Sequence, residues 1–309
     1  MRIIVAGGTG LIGKALAAEM SRAGWEVVVL TRTASLSPAS AGIREVAWDG
    51  RTLGAWAGEV EGAHAVVNLA GVSIAGDSLA AILFGRWTEA RKRAIRASRV
   101  VTGQVLAAAV RQASVRPAVF IQASGVNYYG VNSTGAVDED APAGNDFLAS
   151  VCIDWEDSSG EVEALGVRRA VIRSGVVLAS QGGILPMMAL PFRLLAGGRL
   201  GSGRQWVPWI DLHDEIAAIR FLIERPEGAG AFNLVAPGAM RSDAFGHALA
   251  RALRRPFWLP IPAFLLRLLL GEKATLVLDG CQIVPRRLQM LEFPFRYPTA
   301  EGALQDWYR

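Results

Sequence analysis

The chain has 309 residues, 32 basic against 28 acidic side chains, a formal net charge of +4 and 51% hydrophobic residues. That length supports a sizeable core in one large domain or two closely joined ones, and the composition excludes low-complexity disorder, collagen and small disulfide scaffolds. Cys152 and Cys281 make no disulfide framework, His64, His213 and His247 lack zinc-site spacing, and no basic run with interleaved aromatics points to nucleic acid.

In chain order, the opening MRIIVAGGTGLIG lacks the cleavage pattern of a signal peptide and reads instead as a buried strand (2–6) followed by a glycine turn. A helix over 14–23 stops at Gly24, and strands follow at 26–30, 43–48 and 65–69. The Ala/Arg-rich stretch 86–112 predicts a helix, 118–124 a strand, 147–165 a helix ended by Gly166, and 169–178 a strand. After a Gly/Pro/Arg-rich segment (181–206) come a helix at 214–224, a strand at 231–235 and a helix at 242–253 with Ser242 and Asp243 as cap candidates.

Short apolar runs alternating with helical patterns are the mark of βαβ units. The expected fold is α/β, a Rossmann-type doubly wound parallel sheet with a smaller C-terminal lobe. The composition shift near 182 predicts one domain from 1–181 plus 207–236 and a second lobe from 182–206 plus 237–309. The apolar stretch 257–270 is too short for the roughly 20 residues that span a bilayer. It reads as a core helix or a subunit-facing helix, which would suit a homodimer, with a membrane-surface segment as the alternative. The expectation is a soluble, cytoplasmic protein with no stable membrane insertion and no nucleic-acid partner.

The loop Gly7-Gly8-Thr9-Gly10-Leu11-Ile12-Gly13 lies between a strand and a helix. A pyrophosphate needs backbone amides free of side chains and aimed from a helix N-terminus. Gly7 permits the turn, Gly10 the close approach, and Gly13 the packing of helix on strand. At the end of the second strand, sites for NAD place a carboxylate for the ribose 2′-hydroxyl. Here Thr31-Arg32-Thr33 offers an arginine and two hydroxyls, which suits a 2′-phosphate, so the expected cofactor is NADP. Asp49 is a candidate for adenine or for a turn.

These residues carry a resemblance. GGTGLIG (7–13), VNLAG (67–71), RWTEARKRAIRASRV (86–100), ASGVNYYG (123–130), DFLASVCIDWE (146–156), RSGVVL (173–178), GSGRQWVPWIDLHDE (201–215), FNLVAP (232–237), LLLGEKA (268–274) and FRYPT (295–299) resemble an atypical, extended-type branch of the short-chain dehydrogenase/reductase superfamily. That branch is named for nucleoside-diphosphate-sugar epimerases. The resemblance implies an NADP-binding Rossmann domain under a smaller substrate lobe. Gly7, Thr9, Gly10, Leu11, Ile12 and Gly13 would hold the cofactor together with Thr31, Arg32 and Thr33. Leu69, Ala70 and Gly71 would pass its nicotinamide ribose, and Ser124 would face the nicotinamide.

The chain departs from the superfamily at the catalytic dyad. Reductases and epimerases of this kind use Tyr-x-x-x-Lys, the lysine lowering the tyrosine pKa for proton exchange. The aligned stretch 147–151 reads FLASV, and lysine occurs only at Lys14, Lys92 and Lys273. Tyr128 or Tyr129, with Ser124, are the candidates for catalysis, packing being the alternative for the tyrosines. Cys152 with Glu156, Asp138 with Glu139, and Asp211 with His213 and Asp214 each admit a proton-transfer reading beside a structural one. Arg193, Arg199 and Arg204 suit an anion such as a substrate diphosphate, or a solvated loop. Lys92, Arg96 and Arg99 share a helix face that reads as solvent-facing. Two functions follow. One is an NADP(H)-dependent oxidoreductase or epimerase acting on an anionic, possibly nucleotide-sugar-like, carbonyl or alcohol. The other is a non-catalytic NADP(H)-binding sensor or scaffold.

Overall fold

The computed structural model describes residues 1–33, 42–76, 78–131 and 135–309. Its central sheet has seven parallel strands: β1 (Arg2–Ala6), β2 (Glu26–Thr31), β3 (Ile43–Ala47), β4 (Ala65–Asn68), β5 (Val119–Gly125), β6 (Arg168–Ser174) and β7 (Gly230–Leu234). Their order is β7-β6-β5-β4-β1-β2-β3. The order reverses beside β1, which opens a crevice at the carboxyl ends of β1 and β4. The doubly wound α/β fold expected from the alternating pattern is the fold observed.

Successive side chains of a strand point to opposite faces, so a strand covered on both sides must be apolar throughout. In β1, Ile3 and Val5 pack with Leu16 and Met20 of α1 (Leu11–Arg22), while Ile4 and Ala6 pack with Leu106 and Val110 of α2 (Glu89–Gln112). Thr88 caps α2 by accepting from the Arg91 amide, and Asp146 caps α3 (Phe147–Asp157) by accepting from the Ala149 amide. Residues 207–236 return to the sheet as α4 (Leu212–Glu224), whose Ile216, Ile219 and Leu222 join the core, and as β7.

Three expectations are corrected. The strand expected over 169–178 divides at Gly175, where an added Cβ would lie 2.7 Å from the Pro208 carbonyl oxygen. The chain leaves β6 there, and Val176–Leu178 pairs with Trp209–Asp211 instead. Ser174 is thereby left at a strand end. Secondly, α5 (Ser242–Leu253) starts at Ser242 itself, so neither Ser242 nor Asp243 caps it. Thirdly, the apolar stretch 257–270 is no core helix: in α6 (Ala263–Leu270) only Leu266 is buried, and Phe264 and Leu268 are 71% and 66% exposed. No helix among the described residues is long and apolar enough to cross a membrane.

The C-terminal lobe has its own core, where Leu249 of α5 and Leu304 of α7 (Ala300–Trp307) meet Leu178, Phe192 and Trp209. Leu288 and Phe293, between the two helices, pack against the main sheet core and tie the lobe to it.

Candidate functional site

The glycine loop closes tightly on β4. Gly7 has φ +80°, and a Cβ on it would lie 2.7 Å from the Leu69 carbonyl oxygen. A Cβ on Gly13 would lie 2.3 Å from the Gly7 oxygen, so α1 sits directly on the turn. Gly10 is the N-cap of α1 and has no side chain to fold over the helix end. The amides of Leu11, Ile12 and Gly13, in the first helical turn, have no intrahelical acceptor and point out of the helix end. These are a bare cradle, free amides and a positive helix terminus, the set that a pyrophosphate requires.

The cradle opens into a groove of about 300 Å³ lined by Gly7, Gly10, Leu11, Ile12, Gly13, Leu69, Ser124, Trp155 and Ser174. The structure therefore brings together the loop, the end of β4 and Ser124. Ala70 follows Leu69, its amide bonded to Asn68 Oδ1 at 3.2 Å. Gly71 lies against the Arg99 guanidinium, which a Cβ would approach to 3.1 Å. Thr9 is exposed and is not in the groove lining, and Thr31, Arg32 and Thr33 stand at the end of β2, with Arg32 and Thr33 exposed. Asp49 is committed to a turn: it accepts from the Arg51 and Thr52 amides and the Thr52 hydroxyl, which hold its pKa below the usual carboxylate value.

Below the groove lies a buried polar network. Ser124 Oγ donates to Glu156 Oε1 at 2.7 Å, and Arg173 grips both Glu156 oxygens at 2.9 Å each. Arg173 also donates to the Tyr129 hydroxyl at 2.9 Å, which donates to Asn233 Oδ1 at 2.7 Å. The Arg173 guanidinium covers the Tyr128 ring, 3.4 Å from its centre. Burial pushes the Tyr129 phenol up to about 12. The structure does not bring Tyr128 or Tyr129 to the groove or the adjoining cleft: one ring is stacked, the other is buried with its hydroxyl fully engaged. Cys152, one turn before Glu156, is buried and its thiol is pushed up to about 11, so it is no ready nucleophile.

The groove meets a second cavity of about 440 Å³ between the sheet and the C-terminal lobe, sharing Ser174 and Ile184 with it. Phe147 and Leu148 line this cleft at the start of α3, where the superfamily dyad would stand. Ser174 Oγ donates to Glu215 Oε1 at 2.6 Å. Glu215 is completely buried in the first turn of α4, its Oε2 has no partner among the described residues, and burial pushes its pKa up to about 8. Sequence reasoning missed this pair; its signal was a glutamate at a position the α4 periodicity turns inward, in the stretch DLHDE.

The other candidates are structural. Asp211 caps α4, accepting from the His213 amide, His213 Nδ1 and Trp307 Nε1. Asp214 accepts the Arg296 and Tyr297 amides at 2.8 Å and so anchors the C-terminal segment. Asp138 pairs with Arg286 at 3.0 Å, and buried Glu139 accepts the Asn233 amide at 3.0 Å. The face bearing Lys92, Arg96 and Arg99 is not solvent-facing. It turns toward α3 and the lobe: Arg96 bonds Ser150 and Asp154, Lys92 pairs with Glu272 at 2.7 Å, and Arg99 is buried over Trp155, where desolvation lowers its pKa to about 10. Arg193, Arg199 and Arg204 are exposed, and none of them lines the cleft.

Comparison with known proteins agrees with this geometry. Residues 3–149 match the NAD dependent epimerase/dehydratase family, and residues 261–307 match a domain of unknown function (DUF1731). The chain is 38% identical over 310 residues to the chloroplastic epimerase family protein SDR39U1 homolog of Arabidopsis thaliana, covering 99% of this chain and 86% of the relative. It is 34% identical over 314 residues to the epimerase family protein YfhF of Bacillus subtilis, covering 99% and 97%. The crystal structure of human epimerase family protein SDR39U1 with NADPH superposes with a TM-score of 0.87 at 32% identity, covering 100% of this chain and 99% of that one. With a bare glycine cradle at a Rossmann crevice and such relatives along its whole length, the chain belongs to the epimerase family, an NAD(P)-binding branch of the atypical short-chain dehydrogenase/reductases.

Proposed function

We propose that the protein is an NADP(H)-dependent oxidoreductase or epimerase that works on a carbonyl or alcohol without the Tyr-x-x-x-Lys dyad. The observation that carries this reading is the meeting of groove and cleft at Ser174 and Ile184: a bound substrate and the reactive end of a cofactor laid along the glycine loop would face each other there. A nicotinamide bound there would supply hydride to, or take it from, a substrate carbon. The two serines hold the oxygen. Ser124 keeps its proton in a hydrogen bond donated to Glu156, so toward the groove its oxygen can only accept, as from a substrate hydroxyl. Ser174 differs, because Glu215, protonated below about pH 8, can hold the shared proton and leave the serine hydroxyl free to donate to a substrate oxygen.

NADP rather than NAD rests on Arg32 with the Thr31 and Thr33 hydroxyls and on the absence of a carboxylate at that strand end. Titration with NADPH and NADH, followed by nicotinamide fluorescence, tests it. Preference for NADPH is expected, and Arg32→Asp is expected to weaken NADPH by about tenfold or more while sparing NADH. Equal affinity for both in the wild type overturns the choice of cofactor. In Gly10→Ala the added methyl meets only the Gly7 oxygen, at 3.3 Å, so the fold should survive. A methyl at the N-cap narrows the bare cradle that an anion would enter, and NADPH affinity is expected to fall by about tenfold while the protein stays folded.

A second reading, a sensor or scaffold that binds NADP(H) without chemistry, is favoured by one observation: Phe147 and Leu148 occupy the cleft wall where the dyad would stand. Substrate-dependent NADPH oxidation, lost in Ser174→Ala, decides for the enzyme.

A further inference from the structure

The cleft carries information about its substrate that the family name does not. Among the described residues that line it there is no lysine or arginine. The segments outside the description add none, since residues 34–41 read ASLSPASA, residue 77 is Asp and 132–134 read NST. The walls are largely apolar, with Trp87, Trp206, Phe147, Leu148, Met188 and Leu276 among them.

Three carboxylates do line the cleft, Asp146, Glu272 and Asp279. Asp146 is occupied by the Ala149 amide as the α3 cap, and Glu272 is neutralised by Lys92 at 2.7 Å. Asp279 has no ion pair among the described residues. The arginines suited to a diphosphate are elsewhere: Arg193, Arg199 and Arg204 are exposed, and Arg241, over the Trp206 ring and bonded to the Arg204 carbonyl, is not in the lining either. The cations at the wall are already engaged, Lys92 by Glu272 and the Phe147 ring and Arg241 by the Trp206 ring and the Arg204 carbonyl, so two phosphates entering such a space would lose their hydration without gaining a free cation and would meet like charge at Asp279. An apolar molecule gains about 25 cal/mol for each Å² it buries against these walls.

We propose that the cleft takes an apolar carbonyl compound, or the corresponding alcohol, that carries no phosphate or carboxylate and offers a hydroxyl or ammonium group to Asp279. Nucleoside-diphosphate sugars are not its substrates. The reading of the adjoining groove as a cofactor site supplies only where the reacting end lies.

Trp87 and Trp206 make the cleft its own reporter, so the test is tryptophan fluorescence on the full chain, with and without NADPH. Three probes are titrated: UDP-glucose, the uncharged ketone 4-phenylcyclohexanone and the amine-bearing ketone 1-benzyl-4-piperidone. Both ketones are expected to change the emission in a saturable way; the change is expected to shrink in Trp206→Phe, where Trp87 still reports, and to vanish in the cleft-filling variant Leu276→Trp. UDP-glucose is expected to give none up to about 1 mM. Asp279→Asn is expected to weaken the amine-bearing ketone by about fivefold and the uncharged one hardly at all. Binding of UDP-glucose that Leu276→Trp abolishes, or no response to either ketone, overturns the proposal. An unchanged piperidone affinity in a folded Asp279→Asn removes Asp279 from it. Failure of NADPH to bind, read separately by nicotinamide fluorescence, counts against the proposed function alone, because the cleft is titrated without cofactor as well.

Discussion

Glu215→Gln is expected to gain stability relative to the wild type as the pH rises from about 5 to about 8. Burial raises this carboxyl from its ordinary value of 4.5 to about 8, and only the Ser174 hydroxyl opposes the shift. The sign follows from proton binding. Below about pH 4.5 both folded and unfolded chains hold the proton, and Glu215 contributes no pH dependence. As pH rises toward 8 the unfolded chain ionises while the folded one does not, so the native state loses ground. Above 8 both are ionised and the difference is constant. The whole span is on the order of 5 kcal/mol for a group with no solvent contact. Glutamine keeps the shape and cannot ionise, so the variant gains on the wild type steadily across this window. Urea midpoints of both proteins at about pH 5, 7 and 9 measure it; parallel behaviour at the three values would mean that Glu215 does not titrate there. The same carboxyl underlies the donor role assigned to Ser174, so activity supported by that hydroxyl should decline above about pH 8 in the wild type.

The second large effect concerns the centre of the buried network. Arg173→Met is expected to destabilise the fold by about 3–5 kcal/mol, because it leaves the Glu156 carboxylate buried without its cation. Arg173 is the sole cation bonded to both Glu156 oxygens among the described residues, and it also supports the Tyr129 hydroxyl and covers the Tyr128 ring. Pairing it with Glu156→Leu should recover much of the loss, since a matched apolar pair removes the orphaned charge. Chemical unfolding of the two single variants and the double variant completes the cycle. Additive losses would show that the pair contributes through packing and not through charge.

How much of this was legible beforehand differs by element. The cofactor cradle was readable because its requirement is local: a strand, a turn without side chains and a helix start are contiguous in sequence, and Gly7, Gly10 and Gly13 stand at the positions the backbone needs. The parallel sheet was readable for a similar reason, since strands covered on both faces must be continuously apolar, as RIIVA and EVVVL are. The substrate side was not. Tyr128 and Tyr129 stand next to Ser124 in the chain, yet the short helical turn at Val126–Tyr129 carries them into the network around Arg173, away from the cleft. Arg193, Arg199 and Arg204 looked like an anion site by composition, and the fold leaves them outside the lining.

The alternation of strand and helix, the glycine loop and the missing Tyr-x-x-x-Lys could be read without the fold, because each depends on residues adjacent along the chain. Only the packing of distant segments puts Ser174 where groove and cleft meet, buries Glu215 beneath it and leaves the cleft lining, among the described residues, without a lysine or arginine. Those properties join residues 41 positions apart in one case and well over a hundred apart across the cleft, and burial, which sets the Glu215 proton affinity, belongs to the packed molecule and to no segment of it.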